Sequence, residues 1–174
     1  MTLKRTAVAA LLAWCVFGFS GLATAADQVI FVVRHAERAD GGAAAGGMMA
    51  SSDPPLSAAG IERARRLAAL LVSADVRSIF ITEFARTRQT AAPLAEAAQI
   101  TATAVSAKDA AALSQQVRAA PGNVLVIGHS NTVPELLKQL GVKTPITIAD
   151  SEYDNLFVIV RPAAGEPVLI RLRY

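Results

Sequence analysis

The chain contains two histidines, His35 and His129. Each stands where an apolar run gives way to polar residues, in "VIFVVRHAER" (Val29 to Arg38) and in "VLVIGHSNT" (Val124 to Thr132). Imidazole is a nucleophile and a proton carrier near neutral pH. Arginine offers a planar fork of donors that matches phosphate oxygens. Arg34 and Arg38 flank the first histidine, and Arg86 lies in a third polar cluster, "TEFARTRQT". These residue types together suit the binding and transfer of an anionic group. A lone histidine at a strand end is more often a hydrogen-bonded rim residue; two histidines sharing this setting point to chemistry.

The elements that must hold these residues follow from the apolar pattern. β-type runs recur at Val29 to Val33, Ser78 to Ile81, Val124 to Ile127 and Leu156 to Val160, with helical patterns between the first several. Near-continuous apolar strands alternating with helices predict a three-layer α/β/α sandwich around a mostly parallel sheet. In such sheets ligands bind outside the carboxyl ends of the strands, beside helix N-termini. "RHAER", "TEFARTRQT" and "GHSNT" all fall at such ends.

A helix from about Ser57 shows Ile61, Ala64, Ala68 and Leu71 on one face and turns Glu62, Arg63, Arg65 and Arg66 mostly to solvent. A second begins near Thr82, which places Arg86 one turn in with its side chain leaning back towards the strand ends; Pro93 is expected to kink or divide it. A third follows a capping box, Ser106 to Asp109. A fourth follows Asn131 and Thr132, has Pro134 in its first turn and stops at Gly141. "NLFVIVRPAAGEPVLIRLR" predicts an antiparallel hairpin at the sheet edge. The stretch from Ala39 to Ser52 has no periodicity and is expected to be a surface loop.

The N-terminus predicts a secretory signal over residues 1–25. Lys4 and Arg5 precede an apolar run from Ala7 to Leu22, and small residues at Ala23 and Ala25 suit cleavage after Ala25; an uncleaved anchor is the alternative. About 149 residues then remain as a single domain, 26–174, without cysteine, since Cys15 is the chain's one thiol. Loss of Lys4 and Arg5 lowers the formal charge from +3 to +1, so the basic balance is no argument for nucleic acid. The expected setting is periplasmic or secreted, with no membrane association after cleavage.

"VVRHAER", "LSAAGIERARRLAALL", "ITEFARTRQTA" and "VIGHSNT", in that order, resemble the histidine phosphatase superfamily, the clan that includes cofactor-dependent phosphoglycerate mutases. The resemblance implies a phosphatase in which His35 takes the phosphoryl group as a phosphohistidine. Arg34 and Arg86, with Arg38 as a third, would hold phosphate oxygens, and His129 would donate to the transferred group. It implies no cofactor and no metal, and as partner a small phosphorylated substrate or a phosphoprotein. Ala36 stands where many members have glycine. Members with a glutamate acid usually carry it in an insertion between the second arginine and the second histidine, and only 42 residues separate Arg86 from His129. That short span argues against a mutase and leaves Glu83 and Asp109 as weak candidates for the acid, each better suited to a helix N-terminus.

Other chemistries fit less well. "VLVIGHS" is similar to a G-x-S-x-G nucleophile elbow, but Thr132 replaces the second glycine and no histidine follows Ser130. A metal site of His35, Glu37 and His129 lacks a dense carboxylate set. A phosphate-binding module without turnover is the stronger rival, because a missing acid could mean lost catalysis.

Overall fold

The computed structural model describes residues 27–41 and 53–174. The predicted signal, its cleavage point and positions 42–52 of the expected loop lie outside the described residues. Chain order is β1 (Gln28–Arg34), α1 (Ala58–Leu71), β2 (Val76–Ile81), α2 (Ala85–Ala97), β3 (Thr103–Ala104), α3 (Ala110–Ala119), β4 (Asn123–Gly128), α4 (Thr132–Gln139), β5 (Asn155–Arg161) and β6 (Val168–Arg173).

The strands form one sheet in the order β3-β2-β4-β1-β5-β6. The pairs β1·β4, β2·β4 and β2·β3 are parallel, and β1·β5 and β5·β6 antiparallel. Side-chain alternation divides the core in two. Ile30, Val32, Val124 and Val126 pack with Val117 of α3 and Val133, Leu136 and Leu137 of α4. Phe31, Val33, Leu125 and Ile127 face the other way, onto Leu67 and Leu71 of α1 and Leu94 of α2. This is the expected three-layer α/β/α arrangement with a mostly parallel sheet and a C-terminal antiparallel hairpin. Helices change face where the chain reverses direction across the sheet, as right-handed crossovers require. That reversal brings the carboxyl ends of β1 and β4 side by side.

Several local expectations need correction. Ile61 is 45% exposed; the buried stripe of α1 runs through Gly60, Ala64, Leu67, Ala68 and Leu71 instead. Arg63 is not solvated: its guanidinium forks onto Glu37 (Nε–Oε1 2.9 Å, Nη2–Oε1 2.6 Å) and donates to the Tyr174 carbonyl. Burial alone would raise the Glu37 carboxyl, but the Arg63 hydrogen bonds, a backbone N–H and the charges of Arg63 and Arg66 together outweigh it and hold it below its ordinary range. Pro93 does not divide its helix, because α2 runs unbroken from Ala85 to Ala97; Thr90, Ala91 and Leu94 are buried on either side of it, and that packing keeps the turns in place. The cap of α3 is Asp109, which accepts from the Ala112 N–H, whereas Ser106 accepts from Lys108 in the turn before it. The two-residue β3 had no readable apolar run.

Two glycines are required by geometry. Gly141 ends α4 with φ of +97°, a left-handed value that side chains resist. At Gly60 the helix passes so close to the strand-end loop that an added Cβ would lie 2.3 Å from the Glu37 carbonyl oxygen.

Candidate active site

Register places the two histidines together. Arg34 of β1 pairs with Gly128 of β4, so the next residues, His35 and His129, leave adjacent parallel strands side by side. Their rings meet edge-on with centroids 5.2 Å apart. On the other side of β4, Ile81 of β2 pairs with Ile127, which delivers Thr82 next to His129. Arg34, His35, Thr82 and His129 are 6%, 3%, 3% and 8% exposed.

His35 is held by its loop. Its backbone N–H donates to the Gly128 carbonyl at 2.9 Å, and the next N–H, of Ala36, donates to Thr90 Oγ1 at 3.0 Å. Its ring Nδ1 lies 2.8 Å from the Ala36 carbonyl oxygen. A carbonyl can only accept, so Nδ1 carries the proton and Nε2 keeps its lone pair. Burial, aided by His129, Arg34 and Arg86 and opposed by the Ala36 carbonyl, lowers the His35 pKa to about 3. At neutral pH the ring is therefore an uncharged nucleophile.

The arginines supply charge without full compensation. Arg34 donates through Nη1 to the carbonyls of Ala149, Asp150 and Glu152 at 2.9–3.1 Å, and its guanidinium stacks 4.1 Å over the Tyr153 ring. All these partners are neutral, so its charge is fixed in place rather than cancelled. Arg86 is the second residue of α2, nearer the helix start than expected, and lies over Phe84 at 4.2 Å. It meets Asp53 at 3.5 Å, while the same carboxylate caps α2 by accepting from the Ala85 N–H. Burial, then Arg38, lowers the Arg86 pKa. The Nε donors of both Arg34 and Arg86 are buried without a hydrogen-bond partner among the described residues. Unsatisfied buried cationic donors cost free energy that a bound oxyanion recovers.

Arg38 is placed differently. Its charge is felt by Arg86 and His129, but its fork is engaged by Asp40. Neither candidate acid is unengaged. Glu83 accepts from the Ala107 N–H at 3.0 Å, and Asp109 caps α3. Glu83 still acts on the site at longer range, as the one carboxylate among the main influences that raise the His129 pKa. Burial and Arg86 prevail and lower that pKa to about 4. Among the described residues no cluster of His, Cys, Asp and Glu could hold a metal ion.

Sequence reasoning missed Thr82, Thr90, Tyr153, Phe84 and the 149–152 carbonyls. The threonines stood in the quoted "TEFARTRQT" and could have been suspected as hydroxyl partners for a strand-end imidazole. The carbonyls carry no side-chain signal at all.

A parallel strand-end site with a neutral buried imidazole, two under-compensated guanidiniums and a second imidazole has the chemistry to accommodate a phosphate-like oxyanion. A profile of the histidine phosphatase superfamily (branch 1) matches residues 30–107, the part of the chain that carries His35 and Arg86. Solved structures of similar fold include the protein histidine phosphatase SixA complexed with tungstate (19% identity, 83% of this chain and 96% of that one, TM-score 0.62). They also include a mycobacterial glucosyl-3-phosphoglycerate phosphatase (14%, 82% and 97%, 0.60) and phosphoserine phosphatase from Entamoeba histolytica with 3-phosphoglyceric acid (11%, 84% and 97%, 0.61). No curated protein matches the chain.

Proposed function

We propose that the chain is a metal-independent phosphatase that works through a phosphohistidine on His35. The observation that carries this reading is the Nδ1–H to Ala36 carbonyl bond, which leaves a neutral, buried Nε2 lone pair beside Arg34 and Arg86. Nε2 attacks phosphorus; the P–N bond forms as the bond to the leaving oxygen breaks, and that oxygen leaves with the electron pair. Arg34 and Arg86 stabilise the charge on the non-bridging oxygens, where positioning and electrostatics supply most of the catalysis. Water then attacks phosphorus, the P–N bond breaks, and inorganic phosphate leaves as His35 is restored.

With Glu83 and Asp109 both bound to backbone N–H groups, the leaving oxygen departs without a dedicated acid. Preferred substrates are therefore phosphoryl compounds with weakly basic leaving groups, either small molecules or phosphoproteins. Export after cleavage at Ala25 and a single domain over 26–174 complete the proposal. Intact-mass measurement on protein from the native host tests the export step: a mass starting at Ala26 is expected, and one retaining Met1 contradicts it.

Hydrolysis of an aryl phosphate by the 26–174 chain is the direct test of activity. Loss in His35→Ala, a drop of about a hundredfold or more in Arg86→Ala, and survival in chelator are expected. Full activity in His35→Ala, or complete loss with chelator, contradicts the proposal. Phosphate binding with no turnover on any such substrate would favour the non-catalytic module.

A further inference from the structure

His129 is oriented from behind by two threonines. Thr87 Oγ1 lies 2.8 Å from the Phe84 carbonyl and 3.0 Å from the Thr82 carbonyl, so its single proton is spent on backbone oxygens. Its oxygen is left to accept, and Thr82 Oγ1 stands 3.1 Å away. Thr82 therefore directs its own proton to Thr87. The Thr82 oxygen can then only accept from His129 Nε2, which is 2.9 Å distant.

The front of the ring agrees. Nδ1 faces Arg86 Nη2 at 3.4 Å, and a guanidinium has donors only. A proton on Nδ1 would oppose that donor; a lone pair suits it. Both sides of the ring thus select the same tautomer, with Nε2–H towards Thr82 and the Nδ1 lone pair towards the site. Thr82 directly follows β2 and Thr87 lies in the first turn of α2, so the chain of hydroxyls is rigidly tied to the element that also carries Arg86.

We propose that Thr82, backed by Thr87, is a positioning residue that fixes His129 as the Nε2–H tautomer and aims Nδ1 at the phosphoryl group. The consequence rests on the phosphatase reading above. His129 enters the reaction as an acceptor at Nδ1 and becomes a donor to a phosphoryl oxygen only by taking a proton there, for instance from a monoanionic substrate. The Thr82 oxygen accepts from Nε2–H before and after that transfer, so the ring does not have to turn. Second partners of this kind set tautomer and orientation in histidine sites generally.

Nitrogen-15 spectra of histidine-labelled 26–174 chain near neutral pH read the tautomer directly and need no activity. His129 should show Nε2–H and His35 Nδ1–H. In Thr82→Val the His129 pattern should shift to mixed tautomers, with kcat for an aryl phosphate falling about 10–100-fold and KM changing less; Thr82→Ser should restore both. Should Thr82→Val fail to fold, Thr87→Val removes the second link and is expected to show the same changes in weaker form. A wild-type His129 found as Nδ1–H overturns the proposal, as does a folded Thr82→Val or Thr87→Val with wild-type spectra and kcat. A protein inactive on every phosphate substrate but carrying the Nε2–H tautomer would instead remove the phosphatase reading and leave the positioning role standing.

Discussion

His35 and His129 are uncharged because burial and neighbouring guanidiniums oppose a further positive charge. This has a thermodynamic counterpart. Their folded pKa values, about 3 and about 4, lie below the ordinary 6.5, so between those limits the unfolded chain binds more protons than the folded one. The stability tied to each ring is fully present above its unfolded pKa and is lost as pH falls towards the folded value. For His35 that loss is on the order of 2 kcal/mol between about pH 7 and pH 5. Thermal unfolding of wild type should therefore drop in midpoint over this range more steeply than that of His35→Asn, which has nothing to titrate there. Equal slopes in the two proteins would mean that His35 titrates normally.

At the scale of elements, the site depends on how closely α1 lies against the loop after β1. Gly60 permits that approach, and Glu37, whose carbonyl the glycine faces, also pairs with Arg63 and through it with the C-terminal Tyr174. Gly60→Ala must push α1 away from the loop that carries His35. Overpacking of this kind costs about 1–3 kcal/mol, and kcat should fall with it; denaturant unfolding and aryl phosphate turnover measure both. Unchanged stability and rate would show that the loop yields without cost. The strands, the layer order and the strand-end location of both histidines were legible because long apolar runs and helical periods are burial signals that survive in a single sequence. Arg63 misled because its environment is set by Glu37, 26 residues away, and not by the period of its own helix. Ile61 misled for a related reason: the helix turns its small residues, Gly60 and Ala64, to the crowded side. The grip on Arg34 was illegible since it consists of backbone carbonyls from Ala149 to Glu152, placed by Arg171 and Arg173 of β6 acting on Glu152.

At the scale of the whole molecule, chain reversal across the sheet sets β1, β2 and β4 side by side, and every group assigned to phosphoryl transfer comes from their carboxyl ends, the residues that follow or the first turn of α2. No helix among the described residues is long and apolar enough to cross a membrane, and the proposed signal over residues 1–25 lies outside them. In the proposed reaction these strand ends make and break a P–N bond at His35. Rapid quench of the 26–174 chain with phosphorus-labelled aryl phosphate, followed by peptide mapping, measures it most directly. Label is expected on the peptide containing His35, stable in alkali and released in acid, and absent from His35→Ala. Label on another residue, or turnover with no protein-bound phosphate at any quench time in a burst-competent reaction, would contradict it.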